Sequence, residues 1–171
     1  MESQRLSSSG MRGSEHVGSE IRYSHLLQIL CMIFFYSIWI LDSFALKTST
    51  FLAELVPLPI RLACSISIIA VGSILISKAH RKLFEEKPSD LITDGIFAHV
   101  RHPMYLGIII VYLGWLISTL SLLTLIPWIA VVALYSKMAD HEEKQLEQKF
   151  GSRYAEYRKR VPKWIPKLKP S

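Results

Sequence analysis

Residues 104–136 read MYLGIIIVYLGWLISTLSLLTLIPWIAVVALYS, 33 consecutive positions without a charged side chain. A single straight helix of that length would measure about 50 Å. The hydrocarbon core of a bilayer is only about 30 Å thick. Two shorter helices folded as a hairpin resolve the mismatch. The polar cluster Ser118, Thr119, Ser121 and Thr124, followed by Pro127, offers the bend. Halving the run leaves arms of about 16 or 17 residues, so the hairpin is expected to sit tilted or to reach only partly across.

Two further apolar runs lie upstream. Leu26–Leu41 extends to Leu46 across Asp42, and Pro57–Ala79 is interrupted only by Arg61. Both approach the ~20 residues of a spanning helix. Pro57 and Pro59 suit a helix start, where a missing N–H is tolerated. The runs are continuous, not alternating, which excludes a membrane β-barrel. The expected fold is therefore all-α: a polytopic membrane helix bundle with about four transmembrane helices, a C-terminal hairpin and a cytoplasmic amphipathic tail.

Lys and Arg distribute as this layout demands. The N-terminal segment carries three, the 42–56 loop one, the 78–103 segment five, the hairpin tip none and the stretch from 137 onward ten. The positive-inside rule then places both termini and the 78–103 loop in the cytoplasm of an integral, multi-pass membrane protein. The chain divides into a disordered tail at 1–25, two helices in 26–79 and a region at 80–171 that includes the hairpin. A secretory signal with its apolar region at 26–41 is a weaker reading, because the preceding tail is long for one.

The 171 residues are 50% hydrophobic and carry a formal net charge of +6. The basic residues flank apolar runs, so anionic membrane lipids are the expected partner. No groove-reading motif accompanies the charge, and no nucleic-acid role is expected. Cys31 and Cys64 sit inside apolar runs, and no Cys/His cluster exists. Neither a disulfide nor a metal site is expected. In the last 35 residues Leu146, Phe150 and Tyr154 recur at four-residue spacing, as in an amphipathic helix weakened at Gly151 and ended by Pro162 and Pro166.

Two segments carry chemistry. One runs Asp94-Gly95-Ile96-Phe97-Ala98-His99-Val100-Arg101-His102-Pro103-Met104-Tyr105. The other contains His141-Glu142-Glu143-Lys144-Gln145-Leu146, then Phe150-Gly151, Tyr154 and Tyr157. A hairpin returns to the side it left, so the two must meet at one membrane surface. Pro103 fits the first turn of a helix, whose free N–H groups could take an anion. Paired carboxylates could hold a ribose or a cationic centre. Headgroup contacts by Arg101 and His102, with Glu142 and Glu143 on a solvated helix start favoured by its dipole, are the plainer reading of the residues alone. Gly107 and Gly114, seven apart on one face, fit close helix packing better than cofactor approach. Trp115, Trp128 and Trp164 read as interface anchors or core.

The order Gly-Ile-Phe, Arg-His-Pro-Met-Tyr, apolar hairpin, Glu-Glu-x-x-Leu, Phe-Gly-x-x-Tyr-x-x-Tyr resembles the isoprenylcysteine carboxyl methyltransferase family and the related phospholipid N-methyltransferases. The resemblance covers roughly residues 78–166. It implies S-adenosylmethionine as cofactor, held at the cytoplasmic end of the hairpin by His102, Pro103, Met104 and Tyr105. It further implies Phe97, where relatives commonly have Tyr, a short apolar strand Leu91-Ile92 against the adenine, and Glu142 with Glu143 beside it. The carboxyl methyltransferases place an arginine four residues before that glutamate, where this chain has Met138, next to Lys137. Arg101, Lys137 and Met138 are thus the candidates toward the acceptor, and a lysine would lose the bidentate grip of an arginine. The implied partner is a lipidic or prenylated small substrate, foremost an isoprenylcysteine carboxylate. The alternatives are a phospholipid amine, a nicotinamide-dependent reduction as in the membrane sterol reductases, and a non-enzymatic scaffold. The residues alone leave the acceptor, the membrane and the oligomeric state open.

Overall fold

A computed structural model describes residues 25–85 and 90–167. The expected disorder of residues 1–25 falls outside the described residues but for His25. All regular structure among the described residues is helical. Helix α1 spans His25–Leu46, its last turns at Leu41–Leu46 being π-helical. Helix α2 spans Leu58–His80 and continues as a π-turn through Glu85. Helix α3 is Pro103–Thr119, α4 is Leu125–Phe150 and α5 is Ser152–Arg160. By length and composition, α1 and the Leu58–Glu85 stretch suffice to cross a membrane, whereas α3 is shorter.

The hairpin turns where the polar cluster lies. Leu120 adopts a left-handed conformation (φ 51°) after α3, and Thr124 precedes α4. Pro127 falls in the first turn of α4, where it breaks no hydrogen bond. The arms are unequal, however. No helix breaker stands between Pro127 and Gly151, so α4 runs 26 residues, from the apolar segment straight into the charged one. The amphipathic tail is accordingly not a separate helix beginning near 137. Gly151, at φ 53° and ψ −126°, ends α4 and starts the nine-residue α5 at a new angle. Helix α5 buries Tyr154 and Tyr157 against the protein.

Helices α2 and α3 touch backbone to backbone. A Cβ on Gly72 would stand 2.7 Å from the Gly107 carbonyl oxygen, and one on Gly107 would stand 2.7 Å from that of Gly72. A Cβ on Gly114 would lie 2.4 Å from Ile69 Cγ1. Such proximity is what small residues provide where lipid supplies no hydrophobic drive between helices. Ser65 Oγ adds a hydrogen bond to the Gly114 carbonyl at 2.8 Å.

Aromatic rings join α1 to α3. Phe35 meets Tyr112 edge-on with centroids 4.6 Å apart, and Trp39 meets Trp115 at 5.1 Å. The Trp39 indole N–H donates to the Trp115 carbonyl and to Thr119 Oγ1, both at 3.1 Å. Trp128 donates to the Ile109 carbonyl at 3.2 Å, tying α4 to α3.

At the hairpin-tip end a polar knot closes the bundle. Asp42, fully buried, accepts from the Thr48 N–H at 3.0 Å and hydroxyl at 2.6 Å. It also accepts from the Ser49 N–H at 3.1 Å, the Ser49 hydroxyl at 2.5 Å and the Ser121 hydroxyl at 2.6 Å. A buried carboxylate is tolerable when its lone pairs are this fully used. The knot fastens the α1–α2 loop to the hairpin tip, which frees the opposite end of the bundle to carry the site.

Candidate functional site

The segment before α3 and the second half of α4 meet at the end of the bundle opposite the Asp42 knot. Between them lies a cleft of about 220 Å³. One wall is apolar, built by Leu91, Ile92, Phe97, Leu146 and Phe150. Arg101, His102, Glu142, Tyr154 and Tyr157 supply its polar groups, and Leu83, Asp90 and Lys149 complete the lining.

His102 sits immediately before α3, and Pro103 occupies the first turn. The imidazole is clamped between two successive glutamates. Its Nε2 lies 3.0 Å from Glu143 Oε1 and its Nδ1 lies 3.4 Å from Glu142 Oε2. Tyr105, one turn on, stacks parallel to the ring at 4° with centroids 5.7 Å apart. Trp164 covers the ring from another side at 6.0 Å.

The two glutamates face different surroundings because one helical step rotates a side chain by about 100°. Glu143 points inward and is 5% exposed. Besides His102 it meets Arg101 NH2 at 3.4 Å and Arg158 Nε at 3.7 Å. Glu142 keeps 43% of its side chain exposed and lines the cleft. Two guanidinium nitrogens and one hydroxyl are less well served. Arg101 Nε, Arg101 NH1 and the Tyr154 hydroxyl are buried without a hydrogen-bond partner.

Helix α5 and the chain beyond it strap the site. Tyr157 donates its hydroxyl to the Phe97 carbonyl at 2.8 Å. Burial pushes the Tyr157 hydroxyl above the usual tyrosine range and holds Tyr154 up to about 12. The Arg101 N–H donates to the Pro162 carbonyl at 3.0 Å, and the Lys167 N–H to the His99 carbonyl at 3.0 Å. Lys163 reaches back to Asp140 at 2.6 Å. Arg153 pairs with Asp90 at 2.7 Å, and this hydrogen bond lowers the Asp90 pKa from its ordinary value.

Of the residues expected from sequence, Leu91, Ile92, Phe97, His102 and Glu142 line the cleft. Leu91 and Ile92 do so from irregular chain, not from a strand. With no strand among the described residues to pair with, their backbone has no sheet to join there. Tyr105 and Glu143 support His102 from behind, and Pro103 is buried at the helix start. Met104 is half-buried outside the cleft lining. Arg101 belongs to the cleft. Lys137 is exposed, and Met138 turns toward α1, where Gln28 Nε2 lies 3.3 Å from its sulfur. Trp164, read from sequence as an interface anchor or core residue, instead covers the His102 ring, and no site role was expected of Arg158 or Lys163 individually. The Tyr154-x-x-Tyr157 spacing, which puts both rings on one helix face, was the available signal for the α5 contribution.

Residues 60–153 match the family model described as phospholipid methyltransferase. The protein-S-isoprenylcysteine O-methyltransferase of Schizosaccharomyces pombe is 43% identical over 82 residues, 44% of this chain and 33% of that protein. Protein-S-isoprenylcysteine O-methyltransferase B of Arabidopsis thaliana is 33% identical over 86 residues, 50% of this chain and 44% of that protein. A delta(14)-sterol reductase of Mus musculus is 29% identical over 146 residues, 72% of this chain and 35% of that protein. These matches span less than half the length of each relative. No solved structure matches the chain.

Proposed function

We propose, from the premise that this chain belongs to the phospholipid methyltransferase family, that it is a membrane-embedded enzyme moving a methyl group from S-adenosylmethionine to a lipidic acceptor. The observation that carries this reading is the cleft where the 90–102 segment and the Glu142–Tyr157 stretch meet at one end of the bundle. We place that end, with both termini, in the cytoplasm on the distribution of Lys and Arg, and we read the helices as four spans.

The residues present fit such a donor. Leu91, Ile92, Phe97 and Phe150 offer an apolar wall to a nucleobase. Glu142 offers a half-exposed carboxylate to hydroxyl or cationic groups, and three buried polar atoms lack a partner. When bound, the donor supplies an electrophilic methyl on a sulfonium sulfur. The protein's work is to orient the reactants and exclude water. His102, clamped by Glu142 and Glu143 and backed by Tyr105, is held in one orientation at the mouth of the helix pair. A carboxylate acceptor is already nucleophilic at neutral pH and needs no base. An amine acceptor must first lose a proton, which Glu142 could accept at its exposed oxygens.

The isoprenylcysteine carboxylate is our leading acceptor, since the relatives named above that match most strongly are named for that chemistry. A phospholipid amine is the second, favoured by Met138, which turns to α1 and offers no cation where a carboxylate would be met. Calorimetry on detergent-purified protein tests the reading. Micromolar binding of S-adenosylhomocysteine, lost in His102→Ala and Glu142→Ala, is expected. Binding of a nicotinamide cofactor instead would move the chain to the reductases, toward which the sterol reductase similarity points.

A further inference from the structure

The strap beyond α5 carries a charge that the protein answers only in part. Residues 157–171 hold six Lys or Arg and no Asp or Glu. Arg158 pairs with Glu143 and Glu147, and Lys163 pairs with Asp140. Lys159, Arg160 and Lys167 stay exposed. The Lys167 ammonium donates to the Arg160 carbonyl at 2.5 Å, which draws the two basic residues together and leaves that ammonium two further hydrogens. Between them in the chain, Ile165 is 81% exposed.

The position of the strap identifies what it faces. It crosses both ends of the uncharged run 104–136. At one end the Lys167 N–H donates to the His99 carbonyl at 3.0 Å, and Trp164 covers His102. At the other, Lys163 Nζ reaches the Ser136 carbonyl at 3.5 Å as well as Asp140. The strap thus lies at the level where α3 and α4 leave their apolar segments, which in a spanning protein is the headgroup layer. Cations around an exposed apolar side chain at that level match a leaflet of anionic phospholipid. The apolar side chain enters the acyl boundary and the cations meet lipid phosphates. A protein partner is the poorer match, since one isolated apolar side chain offers no patch to bury. We propose that residues 159–167 dock on an anionic leaflet through Lys159, Arg160, Ile165 and Lys167, and that this leaflet holds the strap against the 99–102 segment. The step rests on the spanning helices of the preceding subsection. Ile165 faces outward while the Arg101 N–H is bonded to the Pro162 carbonyl and the Lys167 N–H to that of His99. The leaflet therefore favours the bonded state, and these two amides report on it.

The full chain in nanodiscs tests the docking, with phosphatidylcholine alone compared with phosphatidylcholine enriched in phosphatidylserine. Amide exchange at Arg101 and Lys167 should be about fivefold slower in the anionic discs, the scale of one Lys or Arg at an anionic surface. High salt should remove the difference, and Ile165→Ser and Lys159→Gln should each shrink it. Both positions are exposed, so amides within α3 should exchange in the variants as in wild type. A polarity-sensitive dye on Ile165→Cys, in a chain with Cys31→Ser and Cys64→Ser, should be quenched by nitroxide-bearing lipid in the anionic discs. The same dye on Ile66→Cys, exposed within the apolar Leu58–Glu85 stretch, is the control for the bilayer itself. Quenching at position 66 with none at position 165 would overturn the docking and leave the spanning helices standing. Equal exchange in the two kinds of disc would overturn it as well. No quenching at either position would remove the spanning reading and the docking together.

Discussion

Glu143 meets His102 at 3.0 Å across 41 positions of sequence, and the pair is what joins the far end of the hairpin to its beginning. Arg101 and Arg158 complete the surround of the Glu143 carboxylate. Its neighbour Glu142 shares the same imidazole but faces the cleft. The two adjacent acids should therefore fail differently.

Glu143→Ala leaves Arg101 without its buried counter-charge and takes the partner from His102 Nε2. Breaking such a pair costs about 3–5 kcal/mol, so thermal melting should drop steeply. Glu142→Ala, at a half-exposed position, should cost less than about 1 kcal/mol while abolishing measurable S-adenosylhomocysteine binding. Comparable melting of the two variants would contradict this division.

Gly107→Ala should separate α2 from α3, because the new Cβ would stand 2.7 Å from the Gly72 carbonyl oxygen and 2.8 Å from Ile76 Cγ1. Overpacking of this kind costs about 1–3 kcal/mol. Gly95→Ala meets nothing within 4 Å, yet Gly95 has φ +59°. Its cost comes from backbone strain alone, about 1–2 kcal/mol. A crosslink between cysteines placed on α2 and α3 should slow in the first variant and not in the second.

Asp42→Ala should loosen the end of the bundle far from the site. It removes the acceptor of the hydroxyl and amide donors of Thr48 and Ser49, while the Ser121 hydroxyl keeps Thr124 at 2.7 Å. An unmet buried donor costs about 1–3 kcal/mol, and Ser49 is the part-buried one left without its acceptor, so a loss on that scale is expected, with amide exchange rising in the 47–50 loop. S-adenosylhomocysteine affinity measured below the melting temperature should stay within about twofold of wild type, roughly the 0.5 kcal/mol by which distant sites interact.

Burial raises the Tyr154 pKa from 10.0 to about 12 in the folded protein. The folded state thus holds the phenolic proton more tightly than the unfolded chain does. The stabilisation is complete below pH 10 and fades as the pH climbs toward about 12. Absorbance titration of tyrosinate should show late-titrating groups that become ordinary in denaturant, with one fewer of them in Tyr154→Phe.

Removal of residues 161–171 deletes the Pro162 and Lys167 bonds to the Arg101 and His99 backbone and the Lys163–Asp140 pair. Amide protection at 97–101 should fall, and S-adenosylhomocysteine should dissociate faster. Unchanged affinity would mean that the strap is not part of the binding surface.

How much of this could be read in advance differs from part to part. The hairpin follows from a 33-residue uncharged run that no bilayer accommodates as one helix, and the structure turns at Leu120–Thr124 as the polar cluster requires. That the Arg101–His102 and Glu142–Glu143 segments meet follows from the hairpin, since the second arm brings the chain back to the level at which the first began. The packing role of Gly107 and Gly114 was legible from their common face. The unbroken run of α4 to Phe150 was not, because a change from apolar to charged composition resembles a boundary, while the backbone ladder stops only at a residue that breaks it.

Periodicity and charge are local properties, so the sequence by itself determined the helices, the hairpin and the two segments that must come together. Which glutamate is buried and which lines the cleft, and that Arg101 and Tyr154 are left unpartnered, were decided by tertiary structure alone. Burial and hydrogen bonding depend on rotations of about 100° per residue and on what each face then meets, and those neighbours come from chain 40 to 60 positions away.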